Sequence, residues 1–279
     1  MSLLSMSLLL WTGSLLAGFL GALTGLGGGV VIVPLLALAF RVDLRLAVGA
    51  SLLSVIATSS GAAAAYVRDG LSNVRAGLFL EIATTLGALS GAAVASLVPT
   101  SAVAVIFGVA LLGAAAASLR RPTQSPGPPR PADRLALALR LDGRYRELDG
   151  PVDYQVRNVP AGFALMALAG ALSGLLGIGS GALKVIAMDE VMHFPFKVSS
   201  TTSNFMIGVT AAASAGIYLA RGEIEPLLAG PVVLGVLPGA LLGARLLPRL
   251  ASRRLRLIFA GVIVALAGEM LYQGATGAL

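Results

Sequence analysis

The second half of this chain repeats the first at a fixed offset of 152 residues, with no gap. "GLGGG" (25–29) falls on "GIGSG" (177–181), Ser51 on Ser203, Thr58 on Thr210, Tyr66 on Tyr218 and Gly70 on Gly222. "GALSGA" (87–92) falls on "GALLGA" (239–244) in the same register. Composition alone produces scattered alanine and glycine matches, but not a tyrosine and a six-residue motif together. The chain therefore carries two copies of one architecture, and any fold proposed for one copy must also serve the other.

What one copy can be is limited by its apolarity. Of the 279 residues, 57% are hydrophobic and 12% charged, against roughly 25% charged in a soluble domain. Apolar stretches of about 20 residues recur throughout, each long enough to cross a bilayer as a helix. The expected class is an all-α polytopic membrane protein, multi-pass in the cell membrane, built from two homologous repeats as secondary transporters commonly are. The divisions are a first transmembrane repeat (1–118), a cytoplasmic linker (119–157) and a second transmembrane repeat (158–279). Within the linker, "RRPTQSPGPPRP" is a proline-rich tether, and the stretch around Asp149-Gly150 alternates as a small β-hairpin would. The whole segment reads as a solvated connector.

Composition also removes several functions. Cysteine is absent and histidine occurs once, as His193, so neither thiol chemistry nor a histidine metal cluster is expected, and no cofactor is implied. The net charge of +7 comes from arginines between apolar segments, which orient a membrane protein; no nucleic-acid partner is expected.

Each half holds four apolar units, and the first unit of each (6–40 and 160–190) is too long. As a single helix of roughly 33 residues it would extend about 50 Å, against a hydrocarbon core of about 30 Å. Glycine knots stand in the middle of both. The predicted form is a hairpin of broken helix, followed by three transmembrane helices. Charge supports it. If each long unit crossed once, the two sides would hold 11 and 7 basic residues. If each returned to its starting side, they would hold 15 and 3, the three being Arg41, Arg45 and Arg221. The positive-inside rule prefers the second arrangement, which makes the repeats inverted with both termini outside. Parallel repeats of four helices each are the alternative.

The glycine knots and their surroundings are the candidate site. Gly27-Gly28-Gly29 and Gly179-Ser180-Gly181 would let backbone N–H groups at a helix start approach an anion closely. Lys184 lies five residues past Gly179; an ammonium at membrane depth is costly and faces a bundle interior or a water-filled path. It would balance an anionic substrate, or else pair with Asp189, Glu190 or Glu81. Its repeat mate is Ile32, so the charge is one-sided. Thr201, Thr202, Ser203 and Asn204 supply donors suited to oxyanion oxygens, and Ser51 is the mate of Ser203, with Thr58 and Thr210 two helical turns further on. Glu81, inside an apolar unit, is the candidate for a coupling proton, although a coupling cation would serve as well. Gly21/Gly25, Gly87/Gly91 and Gly239/Gly243 are spaced as helix-packing pairs.

"GALTGLGGGVVIVPLL", the following "VGASLLS", and "PFKVSSTTSNFMIGVTAAASAGIY" in the second half together resemble the TauE/SafE family, the sulfite exporters. The resemblance covers nearly the whole chain. It implies a permease, not an enzyme, for a small sulfur-containing oxyanion or organosulfonate of the sulfite, sulfoacetate or thiosulfate class, working by alternating access between the repeats. Two positions depart from the paired pattern: Ser180 replaces the middle glycine of the second knot, and Ile186 stands where the first half has Pro34. An anion channel is the nearest alternative. An intramembrane hydrolase using Ser180 is a remote one, because residues 178–182 do not form G-x-S-x-G.

Overall fold

The computed structural model describes residues 3–24, 28–68, 70–119, 133–147, 150–250 and 253–277. The first half consists of α1 (Leu3–Thr24), α2 (Gly29–Pro34) continuing as a π-helical turn (Leu35–Ala39), α3 (Leu44–Arg68), α4 (Val74–Ala95) and α5 (Thr100–Leu119). A connector follows, with α6 (Arg134–Ala138), β1 (Gly143–Glu147) and β2 (Gly150–Tyr154). The second half consists of α7 (Val159–Leu176), α8 (Gly181–Ile186) continuing as a second π-helical turn (Ala187–Val191), α9 (Phe196–Ala220), α10 (Pro226–Leu250) and α11 (Arg253–Thr276). Helix is the form that satisfies backbone N–H and C=O groups within one segment, as an apolar surrounding requires. Among the described residues, five helices, α3, α4, α7, α9 and α10, are long and apolar enough to cross a membrane.

The 152-residue offset persists in the backbone: α3 and α9 start and end in register, and so do the two π-helical turns. Pro34 immediately precedes the first turn and Ile186 the second. Proline's missing N–H and ring clash therefore cannot be what produces the wider turn. Both long units fold as hairpins. Leu35 returns alongside Gly13, where an added Cβ would lie 3.1 Å from the Leu35 Cδ2. In the second half the Arg157 N–H donates to the Met192 carbonyl at 3.0 Å, bringing the end of the short limb back to the start of α7.

The halves interlock. The first helix of each packs on the third long helix of the other, α1 on α10 and α7 on α4, while α3 packs on α9 and α5 on α11. Glycine makes the first two contacts close: a Cβ at Gly87 would collide with the Ala167 carbonyl, and one at its mate Gly239 would collide with the Leu15 carbonyl. The helices α3 and α9 run antiparallel, with Gly49 beside Glu223, Ser59 beside Gly208 and Leu71 bonded to Thr201. They form the centre of the molecule.

The connector is more ordered than a solvated tether. The strands pair antiparallel around the predicted hairpin, with Arg144 opposite Asp153. The segment lies against the bundle: Asn73, the N-cap of α4, donates from Nδ2 to the Leu141 carbonyl at 2.7 Å and to the Tyr154 hydroxyl at 2.9 Å. Ala136, Leu141 and Val156 are buried in one cluster with Met188, Phe194 and Met206. Burial pushes the Tyr154 phenol up to about 12, so it stays neutral. The proline-rich stretch 120–132 lies outside the described residues.

Close helix contact at glycine predicts a site-specific response to bulk. Gly87→Leu and Gly239→Leu must push backbones apart, and overpacking of this kind costs about 1–3 kcal/mol or more. Gly216→Leu meets nothing within 4 Å and should be accommodated. Size-exclusion profiles and thermal unfolding in detergent should show the first two variants destabilised and the third close to the parent.

Candidate functional site

The two glycine turns meet beside α3. A Cβ at Gly29 would lie 2.7 Å from the Ser51 Oγ and 3.0 Å from the Gly177 carbonyl oxygen. The Ser51 hydroxyl donates to that same carbonyl at 2.8 Å. A Cβ at Gly179 would sit 2.7 Å from Ile207 and 3.1 Å from Val55. Gly181 opens α8, and its carbonyl accepts from the Ser203 hydroxyl at 3.2 Å. Gly28 is buried, and its nearest neighbours would stand 3.8 Å from a Cβ, Thr58 among them. Gly27 lies outside the described residues.

The second turn is strained at Ser180, whose mate Gly28 is not. Gly177 and Gly179 have φ of +68° and +70°, which glycine adopts freely. Ser180 follows with φ 44° and ψ 30°, a left-handed conformation that costs a residue with a Cβ about 1–2 kcal/mol. Its Oγ is buried with no hydrogen-bond partner. Gly28, its mate, has an ordinary helical φ of −64°. The side chain therefore stands at the position with the strained backbone, and strain coinciding with an orphaned polar atom points to function.

One turn further, Lys184 is completely buried. Its ammonium donates to the Thr210 hydroxyl on α9. The Thr210 Oγ1 lies 2.6 Å from the Glu81 Oε1 on α4, and the Lys184 Nζ is 4.0 Å from the Glu81 Oε2. Thr210 thus bridges ammonium and carboxylate, accepting from one and donating to the other. Thr85 donates to the same Glu81 Oε1 at 3.2 Å, while the Glu81 Oε2 is buried without a hydrogen-bond partner. Among the described residues, Lys184 and Glu81 are the only charged side chains that are buried. Of the three carboxylates the sequence offers Lys184, the structure selects Glu81, which comes from the other half.

The polar run at the start of α9 divides. Ser203 faces the turn. The Thr201 hydroxyl is directed to the Leu71 carbonyl at 2.8 Å, and Thr202 accepts from the Asn73 N–H at 3.0 Å, so these two fasten α9 to the loop between α3 and α4. The Asn204 Nδ2 donates back to the Ser200 carbonyl at 3.1 Å. Thr210 is the residue that sequence reasoning left without a role. Its signal is spacing: it lies two helical turns beyond Ser203, on the same face.

A helical bundle with apolar spans, interlocked repeats and a buried charge pair between them defines a multi-pass membrane transporter. The family model for the sulfite exporter TauE/SafE matches residues 10–270, and the chain belongs to that family. It is 29% identical over 267 residues to the probable membrane transporter protein YunE of Bacillus subtilis (strain 168), covering 93% of this chain and 95% of YunE. It is 28% identical over 263 residues to the probable membrane transporter protein YjnA of the same organism, covering 90% and 94%. No solved structure matches it.

The bridge makes Thr210 unequal to its mate. Thr210→Val strips a buried ammonium and carboxylate of their shared hydroxyl, which should cost about 1–3 kcal/mol. Thr58 donates only to the Val55 carbonyl of its own helix, at 3.1 Å, and Thr58→Val should stay within about 0.5 kcal/mol. Thermal unfolding of both variants followed by circular dichroism measures the difference. Equal losses would mean that Thr210 does not mediate the pair.

Proposed function

We propose that this transporter is a secondary permease for a small sulfur-containing oxyanion or organosulfonate, of the sulfite, sulfoacetate and thiosulfate class, which alternates access between two inverted repeats. The observation that carries the reading is the fully buried Lys184 ammonium, one helical turn from the orphaned Ser180 hydroxyl. An ammonium has three N–H donors, and Thr210 takes one of them. A sulfonate or sulfite group offers several acceptors and carries negative charge, so it matches the donors that Lys184 has left over and the Ser180 hydroxyl. The repeat relation supports placing Ser180 on the same side: Gly28, its mate, neighbours Thr58, the mate of Thr210. The family's name, sulfite exporter, is consistent with the same class of anion.

The antiparallel crossing of α3 and α9 supports inverted repeats, since equivalent helices that run oppositely are related by an axis perpendicular to them. With the basic residues assigned to the cytoplasm, the 133–158 connector faces inside and the Arg221-Gly222 turn outside. The two transmembrane repeats (1–118 and 158–279) then rock about the α3–α9 centre, with the linker (119–157) joining them.

Two measurements test the reading. Purified protein should be stabilised against heating by sulfite, sulfoacetate or thiosulfate, because a ligand of the folded state stabilises it by mass action. Lys184→Met should weaken that binding by about 2–5 kcal/mol, roughly 30- to several-thousand-fold. Orientation is read separately, by an impermeant thiol reagent added to intact cells. Gly222→Cys should be labelled and Asp153→Cys protected; the opposite pattern rejects the assigned orientation.

A further inference from the structure

We propose that Glu81 carries a proton in step with the anion, coupled to it through Lys184 and Thr210. This rests on the permease reading above and adds the coupling ion. The geometry brings together a carboxylate from the first half and an ammonium and a hydroxyl from the second. In the structure the pair is neutral as a unit. One carboxylate oxygen, Oε1, receives hydroxyls from Thr85 and Thr210. The other, Oε2, is buried and unpartnered. An anion that engages the Lys184 ammonium takes over the charge that Glu81 had balanced. The site would then hold a net negative charge in an apolar interior, and a buried carboxylate in that position neutralises by taking up a proton.

The step balances simply. A hydronium ion gives one proton to the Glu81 Oε2: one O–H bond of the hydronium breaks, one forms on the carboxylate, and neutral water is left. The anion's oxygens accept from the Lys184 Nζ in place of the Thr210 hydroxyl, and Thr210 continues to donate to Oε1. With a monovalent anion, the ammonium and the anion cancel and the protonated acid is neutral, so the site keeps the zero net charge it had as an ion pair when proton and anion enter or leave together. Among the described residues, Glu81 is the only carboxylate that is buried. On the elements packed around the pair, α7 has no titratable side chain, α9 has only Lys197 and Tyr218 apart from polar hydroxyls, and α4 has only Arg75 besides Glu81. Asp189 and Glu190 lie in the π-helical turn beyond Lys184 and are not buried.

The test uses methanesulfonate, sulfoacetate and thiosulfate, which do not themselves carry a proton near neutral pH. Calorimetric titration of the intact protein in buffers of different ionisation enthalpy should show uptake of about one proton per methanesulfonate bound, the monovalent member of the set, and at least one per sulfoacetate or thiosulfate, which are divalent. Glu81→Gln should abolish that uptake. In proteoliposomes, an acid-outside gradient of one pH unit should drive up to about tenfold accumulation of labelled methanesulfonate by the parent, and the variant should lose this accumulation. Anion binding and transport by the parent with no proton uptake overturns the coupling and leaves the permease reading standing. Failure of all three anions to bind or move overturns both. Proton uptake that persists in Glu81→Gln assigns the proton to another group and overturns the role of Glu81. Where Glu81→Gln fails to fold, Thr85→Val removes one hydroxyl donor from the Glu81 Oε1 and should move the pH range of the uptake upward; an unchanged pH profile overturns the role of Glu81.

Discussion

Breaking a helix inside a bilayer strands backbone carbonyls and N–H groups where water cannot reach them, and each stranded group costs several kcal/mol. The organisation of this protein follows from how its breaks are sealed. At the second turn, the Gly174 and Gly177 carbonyls are met by Tyr218 at 3.0 Å and Ser51 at 2.8 Å. The Gly181 carbonyl is met by Ser203 at 3.2 Å. All three hydroxyls come from α3 and α9, so the two central helices supply what the hairpins lack. That is a reason for polar side chains to lie on the buried faces of such apolar helices. It also gives Ser51 and Ser203 a structural duty that any substrate contact must share.

The buried charges obey a similar economy. Taking an ammonium and a carboxylate out of water costs several kcal/mol per ion, which their attraction repays only with good geometry and further hydrogen bonds. Here the charges stand 4.0 Å apart with a threonine between them. A bridged pair of this kind is held less tightly than a direct contact, and one carboxylate oxygen is left over. Lysine suits the position better than arginine. Its ammonium is compact and its donors rotate, so it can turn between Thr210 and another acceptor without moving its stem.

Much of this was legible in the sequence. The 152-residue offset predicted element boundaries because equal segments in equal surroundings fold alike, and α3 and α9 keep that register residue for residue. The hairpins were legible from length against bilayer thickness. The partner of Lys184 was not, because Asp189 and Glu190 are near in sequence while Glu81 is 103 positions away, and only the packing of α4 on α7 and α9 brings it in. The ties of Thr201 and Thr202 were hidden for the same reason: their partners, Leu71 and Asn73, belong to the other half. The docking of the connector was also illegible. Its local pattern is polar, and the few apolar residues it buries, Ala136, Leu141 and Val156, find their surface only once the bundle exists.

Symmetry in the backbone contrasts with asymmetry in the chemistry. The positions equivalent to Lys184, Ser180 and Glu81 are Ile32, Gly28 and Val233, while Thr210 keeps its hydroxyl in Thr58. The first half thus retains the hairpin, the π-helical turn and the close packing, but not the charges or the strained serine. Two equivalent halves make two equivalent end states available, because exchanging the conformations of the repeats exchanges which face is open. A second buried charge pair would double the desolvation cost and, on the proposed reading, offer an anionic substrate two competing positions. On the permease reading proposed above, a frame kept in duplicate with the charges kept single would let one site be presented to both sides of the membrane in turn.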